Sequence, residues 1–321
     1  MRLGIDAMGG DFAPAECIDG VKRFSDLNHD GITIVLFGDE AAVNAEIKRV
    51  GGLDCDYEIV PCTDNIDMSE SATKAIQQKQ DSSIVKGLKY LSAGKVDAFA
   101  SAGNTGAMMV GAMYTVKLIA GVLRPALSTF IPRAESHPGL LVDVGANADC
   151  KPEMLVQFGI LGSLYMEYVH RVNNPRVALV NIGEEEGKGN ALAQQAYALL
   201  KENTQIDFIG NVEGRDLFKD SADVMVCDGF TGNIILKMGE SVYDIIKERG
   251  VTDPYFELFN YENFGGTCVL GLNAPVFIGH GISNARAFEN MLATMKVVVE
   301  ANIVDRFKQA FIQSTTPIDQ Q

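Results

Sequence analysis

The sequence predicts a three-layer α/β protein in which a mostly parallel sheet is covered by helices on both faces. Three observations carry that expectation. Apolar runs of strand length alternate with helical patterns along much of the chain, as repeated βαβ units require. Two of these runs end in a G-x-T-G turn that feeds a helical segment: Gly103-Asn104-Thr105-Gly106 after residues 96–100, and Gly229-Phe230-Thr231-Gly232 after residues 224–227. Polar, glycine-rich stretches at 6–11, 101–106, 143–147, 181–190, 210–216 and 228–233 fall where the strands should end. Open α/β sheets bind ligands outside those ends, so the six stretches are expected to converge on one rim.

In chain order, strands are expected at 2–6, 32–37, 56–60, 96–100, 127–131, 139–143, 176–182, 206–210 and 223–227. Pro14, just after Asp11, opens the first helix, and Lys151-Pro152-Glu153 opens another that continues apolar through Met154, Val156, Phe158 and Leu161; proline suits the first helical turn, whose N–H groups lack partners in any case. Residues 98–116 carry no charge but include Gly103, Asn104, Gly106 and Gly111, which fits a buried strand-turn-helix and not a membrane span. The 321 residues suffice for one α/β domain over 1–321, or for two lobes around a central cleft. The polar tail, 314–321, is expected to fray.

With 27 basic and 42 acidic residues the formal charge is −15, which argues against nucleic acid as a partner. Basic residues do gather locally: Lys74, Lys79, Lys86, Lys89 and Lys95 lie close in sequence, and Lys117, Arg124 and Arg133 follow. Six cysteines show no C-x-x-C pairing and no nearby histidine at metal spacing, so they read as buried apolar side chains in a reducing compartment. The amino terminus enters a strand at once, without a signal-peptide pattern, and a cytoplasmic location follows.

Glycine permits positive φ and close approach of a ligand to the backbone, and a helix start offers N–H groups and the positive end of its dipole. The two G-x-T-G turns, facing one cleft, are therefore expected to hold an anion, phosphate being the natural guest. Neither is a Walker loop, and Gly183-Glu184-Glu185-Glu186-Gly187-Lys188-Gly189 has three residues before Gly-Lys and no following Ser or Thr. The first strand lacks a dinucleotide G-x-G-x-x-G. Plain nucleotide hydrolysis and NAD-dependent dehydrogenation lose ground accordingly.

DAMGGDFAP (6–14), SAGNTGA (101–107), DVGAN (143–147), NIGEEEGKGN (181–190), GNVEGRD (210–216), DGFTGN (228–233) and the series Gly265-Gly266, Leu270-Gly271, His280-Gly281 together resemble the PlsX family. These are the acyl-acyl carrier protein:phosphate acyltransferases of bacterial phospholipid synthesis. The resemblance runs in order over nearly the whole chain. It implies an isocitrate-dehydrogenase/phosphotransacetylase-like fold, usually a homodimer, and conversion of a fatty acyl thioester and inorganic phosphate to acyl phosphate and free carrier protein. No cofactor or metal is needed for that reaction. It also implies roles: Lys188 would place positive charge on phosphate, Asn233 would donate its amide to phosphate or the carbonyl oxygen, and His280 would serve the oxyanion or the departing thiolate. Gly9, Gly10, Asn104, Thr105, Gly106, Asn147, Gly229, Thr231 and Gly232 would surround phosphate or substrate. On the residues alone, Lys188 could equally balance Glu184 to Glu186, Asn233 could cap its helix, and Asp6, Asp11 and Asp143 could hold a metal or orient loops.

One departure from the family stands out. A long helical hairpin that serves dimer contact and membrane docking is reduced here to residues 248–264, interrupted by Pro254. Tyr255, Phe256, Leu258, Phe259, Tyr261 and Phe264 keep that interval rich in aromatic residues, either as dimer or core packing or as an exposed surface for lipid or acyl chain, the latter allowing peripheral contact at the inner face of the membrane. Two alternatives stand beside the acyltransferase: a phosphotransacetylase-like enzyme using acyl-CoA, and a noncatalytic scaffold for phospholipid-synthesis enzymes.

Overall fold

The computed structural model describes residues 1–27, 30–133 and 137–313; the tail from 314 lies outside them. In chain order the elements are β1 (Arg2–Asp6), α1 (Ala15–Leu27), β2 (Thr33–Gly38), α2 (Glu40–Arg49), β3 (Asp56–Pro61), α3 (Ala72–Gln78), α4 (Ser83–Ser92), β4 (Ala98–Ser101), α5 (Thr105–Thr115), β5 (Ala126–Ile131) and β6 (Gly139–Val142). There follow α6 (Pro152–Tyr168), β7 (Arg176–Asn181), α7 (Ala191–Glu202), β8 (Asp207–Glu213), β9 (Val224–Val226), α8 (Gly229–Glu248), α9 (Pro254–Glu257), β10 (Thr267–Leu270), β11 (Val276–Ile278), α10 (Ala285–Glu300) and α11 (Ile303–Gln313). All nine expected strands form. β10 and β11 were not expected, because three- and four-residue runs set among glycines carry too little periodicity to read.

The chain divides into two compact units, Met1–Lys117 with Tyr261–Glu300, and Leu118–Asn260 with the segment from Ala301. In the first, strands run in the order β3-β2-β1-β4-β11-β10. All pairs are parallel except β10 with β11. Leu3, Ile5, Phe37 and Phe99 are fully buried, and Phe37 meets Phe99 edge to face at 5.5 Å. Two helical glycines set the layer spacing. Any Cβ at Gly87 of α4 would overlap the Phe99 ring, and one at Gly20 of α1 would meet Phe288 of α10.

In the second unit the order is β5-β6-β9-β7-β8, parallel apart from β5 with β6. One face is covered by α6, whose Gly162 lets Val224 approach. On the other, Leu141, Ala178 and Met225 form a core with Val144, Val212 and Leu217, against which Ile235 and Leu236 of α8 pack. At the amino-terminal ends of these strands, buried Arg133 pairs with Asp223 at 3.4 Å and Asp220 at 3.1 Å, and Arg176 meets Asp223 at 3.0 Å. Arg133 is only 3% exposed. It is therefore removed from the basic residues that could meet a partner, while Lys89, Lys117 and Arg124 stay exposed.

Candidate active site

Each unit builds a polar rim at the carboxyl ends of its parallel strands, and each rim is organised by one buried aspartate. In the first unit this is Asp6, last residue of β1 and 1% exposed. Its carboxylate accepts the Met8 N–H at 3.0 Å and the Ser101 hydroxyl at 2.7 Å; Ser101 Oγ in turn accepts the Gly103 N–H at 2.9 Å. Burial pushes the Asp6 carboxyl above its ordinary range, and the Ser101 hydrogen bond opposes that. Gly9 is held so close that a Cβ would stand 2.8 Å from the Gly103 nitrogen. Gly10 has φ +102°, a region where a side chain is strained. Asp11 N–H donates to the Gly281 carbonyl at 2.7 Å, and Gly279 N–H to that of Ser101 at 2.9 Å. The loops carrying Gly9 and Gly10, Asn104 to Gly106, and His280 are thus tied together. The His280 ring lies 5.0 Å from that of Tyr261, whose hydroxyl donates to the Ile282 carbonyl at 3.0 Å.

Asn104 has a framework position in this rim. It is the N-cap of α5, its Oδ1 accepting the Ala107 N–H at 2.9 Å, and its Nδ2 lies 3.0–3.2 Å from the carbonyls of Asp67, Met68 and Glu70. The side chain is spent on the fold, so the geometry does not favour it as a substrate ligand. Thr105 is exposed at the first position of the helix and Gly106 follows it.

In the second unit Asp143, 0% exposed, follows β6. It accepts the N–H groups of Leu127, Gly145, Ala146 and Asn147, and the Asn147 side-chain amide, at 2.7–3.2 Å. Burial raises its pKa and the Asn147 amide opposes the rise. An acceptor so fully engaged orients the 143–147 loop; it is not placed as a base. Asn147 is equally engaged, its amide reaching the Pro125 carbonyl at 2.8 Å and its own carbonyl accepting the Gly229 N–H at 2.8 Å.

The two G-x-T-G motifs differ in register. In the first the helix begins at the threonine with Asn104 as cap, whereas in the second it begins at Gly229 with Asp228 as cap. Asp228 accepts both the N–H and the hydroxyl of Thr231, at 2.8 and 2.9 Å. A Cβ at Gly232 would collide with the Asp143 carbonyl oxygen, and one at Gly229 would lie 2.7 Å from the Asn147 carbonyl. These glycines let α8 start against the 143–147 loop, a reason distinct from ligand approach. Asn233 is not the cap: it lies one turn in, exposed, with Nδ2 3.3 Å from the Val144 carbonyl. Lys188 sits on the loop after β7, its side chain 50% exposed and its ammonium 3.9 Å from Glu185. That loop is shaped by Asn181 and Asn211, which bond to each other at 3.1 Å, and by Gln194, which reaches the carbonyls of Gly187 and Gly189. Sequence reasoning missed Asp228 and Asn211 as loop organisers. An Asp directly before G-x-T-G is the N-cap signal that could have revealed the first.

All six cysteines are pushed above the ordinary thiol range by burial, Cys150 to about 11 and Cys62 and Cys268 to about 12. None is primed as a thiolate nucleophile. Among the described residues no group of three or more His, Cys, Asp or Glu could hold a metal ion, and no helix is long and apolar enough to cross a membrane.

A profile of the family described as fatty acid synthesis protein matches residues 1–249. Phosphate acyltransferases of Dictyoglomus turgidum and Dictyoglomus thermophilum are 41% and 42% identical to this chain, each over 94% of it and 95% of the relative. The chain belongs to the PlsX family of phosphate acyltransferases. Among solved structures the phosphotransacetylase EutD from Staphylococcus aureus aligns with a TM-score of 0.61 at 16% identity, over 94% of both chains. That likeness establishes a phosphotransacetylase-like α/β fold. In this PlsX protein the shortened interval folds as the end of α8, the single turn of α9 and a 3-10 turn at Tyr261–Asn263. Its aromatic residues are mostly half-buried and pack on one another, Tyr255 with Phe259 at 5.6 Å and Phe259 with Phe218 at 5.4 Å.

Proposed function

We propose that this enzyme transfers a fatty acyl group from acyl carrier protein to inorganic phosphate, giving acyl phosphate and free carrier protein for phospholipid synthesis. The observation that carries the reading is the 41% identity to a phosphate acyltransferase over 94% of the chain. Burial, which pushes every cysteine thiol above its ordinary range, supports direct transfer over an acyl-enzyme. A phosphate oxygen attacks the thioester carbonyl carbon, the C–O bond forms, the C–S bond breaks, and the departing thiolate takes a proton. Phosphate is already nucleophilic near neutral pH, so positioning and charge stabilisation dominate the catalysis. In this reading the half-exposed Lys188 ammonium binds phosphate, the exposed Asn233 amide donates to phosphate or the oxyanion, and His280 donates to the oxyanion or the leaving sulfur. Thr105 and Gly106 at the start of α5 and Thr231 at the start of α8, together with Gly9 and Gly10, serve phosphate or substrate.

The reading includes a cytoplasmic homodimer, peripheral at the inner face of the membrane. Supporting self-association, Phe230, Ile234, Met238, Val242 and Ile245 of α8 are 45–64% exposed and recur at helical spacing along one stripe, an apolar surface of the kind that interfaces cover. The test is turnover of one acyl group on carrier protein and on CoA, with Lys188→Ala, Asn233→Ala and His280→Ala alongside. The carrier thioester is expected to be preferred. Each folded variant should lose about 10²-fold or more in acyl phosphate formation, the scale of a positioned donor or acid. Preference for CoA would indicate a phosphotransacetylase-like enzyme, wild-type activity in all three variants would remove these roles, and no product at all would favour a scaffold.

A further inference from the structure

The second unit contains a cavity of ≈430 Å³ that no residue role so far explains. Its lining includes Asn181, Gly189 and Asn190, and Asp228 and Thr231 at the start of α8. Its walls are aliphatic: Leu155 of α6, Leu179 and Val180 of β7, Leu192 of α7 and Ile235 of α8. Successive strand residues point to opposite faces, so Leu179 and Val180 together mean that the cavity wraps over the carboxyl end of β7. Val180 and Ile235 also pack on the core beneath, which makes the floor a continuation of that core. Ile182, also in the lining, is 81% exposed, an apolar side chain at the edge of a polar loop.

We propose that this cavity receives the hydrocarbon chain of the acyl substrate and sets its length preference, an inference that rests on the acyltransferase reading. Three features select that occupant. Half of the lining residues are aliphatic and polar side chains stand among the rest, the mixture that an alkyl chain with a polar head requires. The polar end lies at Asp228 and Thr231, the helix start that the acyltransferase reading places beside the reacting groups. The size also fits: ≈430 Å³ lies within the range of small-molecule pockets, about 300–1,000 Å³.

Length preference then follows from burial, each enclosed methylene contributing about fourfold to affinity. The experiment compares kcat/KM for hexadecanoyl and hexanoyl carrier protein in the wild type, Leu192→Trp, Ile235→Trp and Leu192→Ala. Leu192 and Ile235 are only partly buried, so the folded core tolerates change there. The indoles should lower the long-to-short ratio at least tenfold, and Leu192→Ala, which widens the cavity, should raise it. Should a tryptophan variant fail to fold, the alanine variant decides the matter by the direction of its shift. An unchanged ratio in the folded variants overturns the chain site while leaving acyl transfer standing. Failure of the wild type to make acyl phosphate from either donor defeats the function reading, and the cavity assignment falls with it.

Discussion

Asp6, Asp143, Asn104 and Asn147 show why polar residues in a motif can have structural work in place of chemistry. Each is buried or part-buried, and each side chain is engaged by backbone groups of the loops it joins. The sequence placed these residues in the right loops, because strand ends and glycine clusters are local signals. It could not tell framework from ligand contact, since hydrogen-bond partners such as Asp67 or Pro125 are remote in sequence. Lys188, by contrast, has half of its side chain exposed and a loose 3.9 Å ion pair, so its charge remains available to a substrate anion.

A further residue-scale consequence concerns His170, outside the candidate site. Its ring lies 4.6 Å from Phe130 and 5.6 Å from Tyr165, with Nε2 buried and unpartnered. Burial pushes its pKa down to about 4, below the ordinary histidine value of 6.5. Folding therefore favours the neutral ring; that contribution is fully present above pH 6.5 and is lost as pH falls from there towards 4. Protonating the unfolded chain but not the folded one costs about 1.4 kcal/mol of stability for each pH unit crossed, so roughly 2 kcal/mol disappears between pH 7 and pH 5. Urea unfolding of wild type and His170→Phe at those two pH values checks this: the wild type should lose about 2 kcal/mol more than the variant. Equal losses would show that His170 does not control the acid limb.

At the scale of elements, the starts of α5 and α8 look alike in sequence and differ in function within the fold. Gly106 has Ala72 Cβ as its nearest neighbour, a methyl 3.1 Å from a built Cβ, while Gly232 faces the rigid Asp143 carbonyl. A side chain can displace a methyl group slightly, but not a backbone carbonyl fixed between strand and loop. Gly232→Ala is expected to destabilise the protein by about 1–3 kcal/mol, as overpacking does, and Gly106→Ala by less than half of that. Urea denaturation of both variants is the check, and equal midpoints would contradict the packing account. The nine expected strands were legible because apolar runs alternate with helical periods. The paired β10 and β11 were not, since their identity comes from antiparallel pairing and from the neighbour β4. The bulge at Ile209–Gly210, where β8 slips by a residue against β7, was also invisible until Gly210 was seen at φ +102°.

At the scale of the whole molecule, the chain carries −15 formal charges, so a carrier protein of the same sign, as the proposed donor, would be repelled at long range. Long-range repulsion must then be offset by local basic surface. In the first unit Lys86 is already paired with Asp81 at 2.5 Å, which leaves exposed Lys89 and Lys117 as the candidates there, and in the second unit Arg133 is buried while Arg124 is exposed. Two units, each with its own strand-end rim and buried aspartate, give the enzyme two separately built sets of loops, and the family relationship extends across both. The central claim is that phosphate itself cleaves the thioester. Its most direct measurement follows release of the carrier thiol from acyl carrier protein while hydroxylamine traps acyl phosphate, across a series of phosphate concentrations. Thiol release should require phosphate, saturate with it, and match the trapped product one for one. Release that proceeds equally well without phosphate, or that yields free fatty acid and no trapped acyl phosphate, would contradict the account.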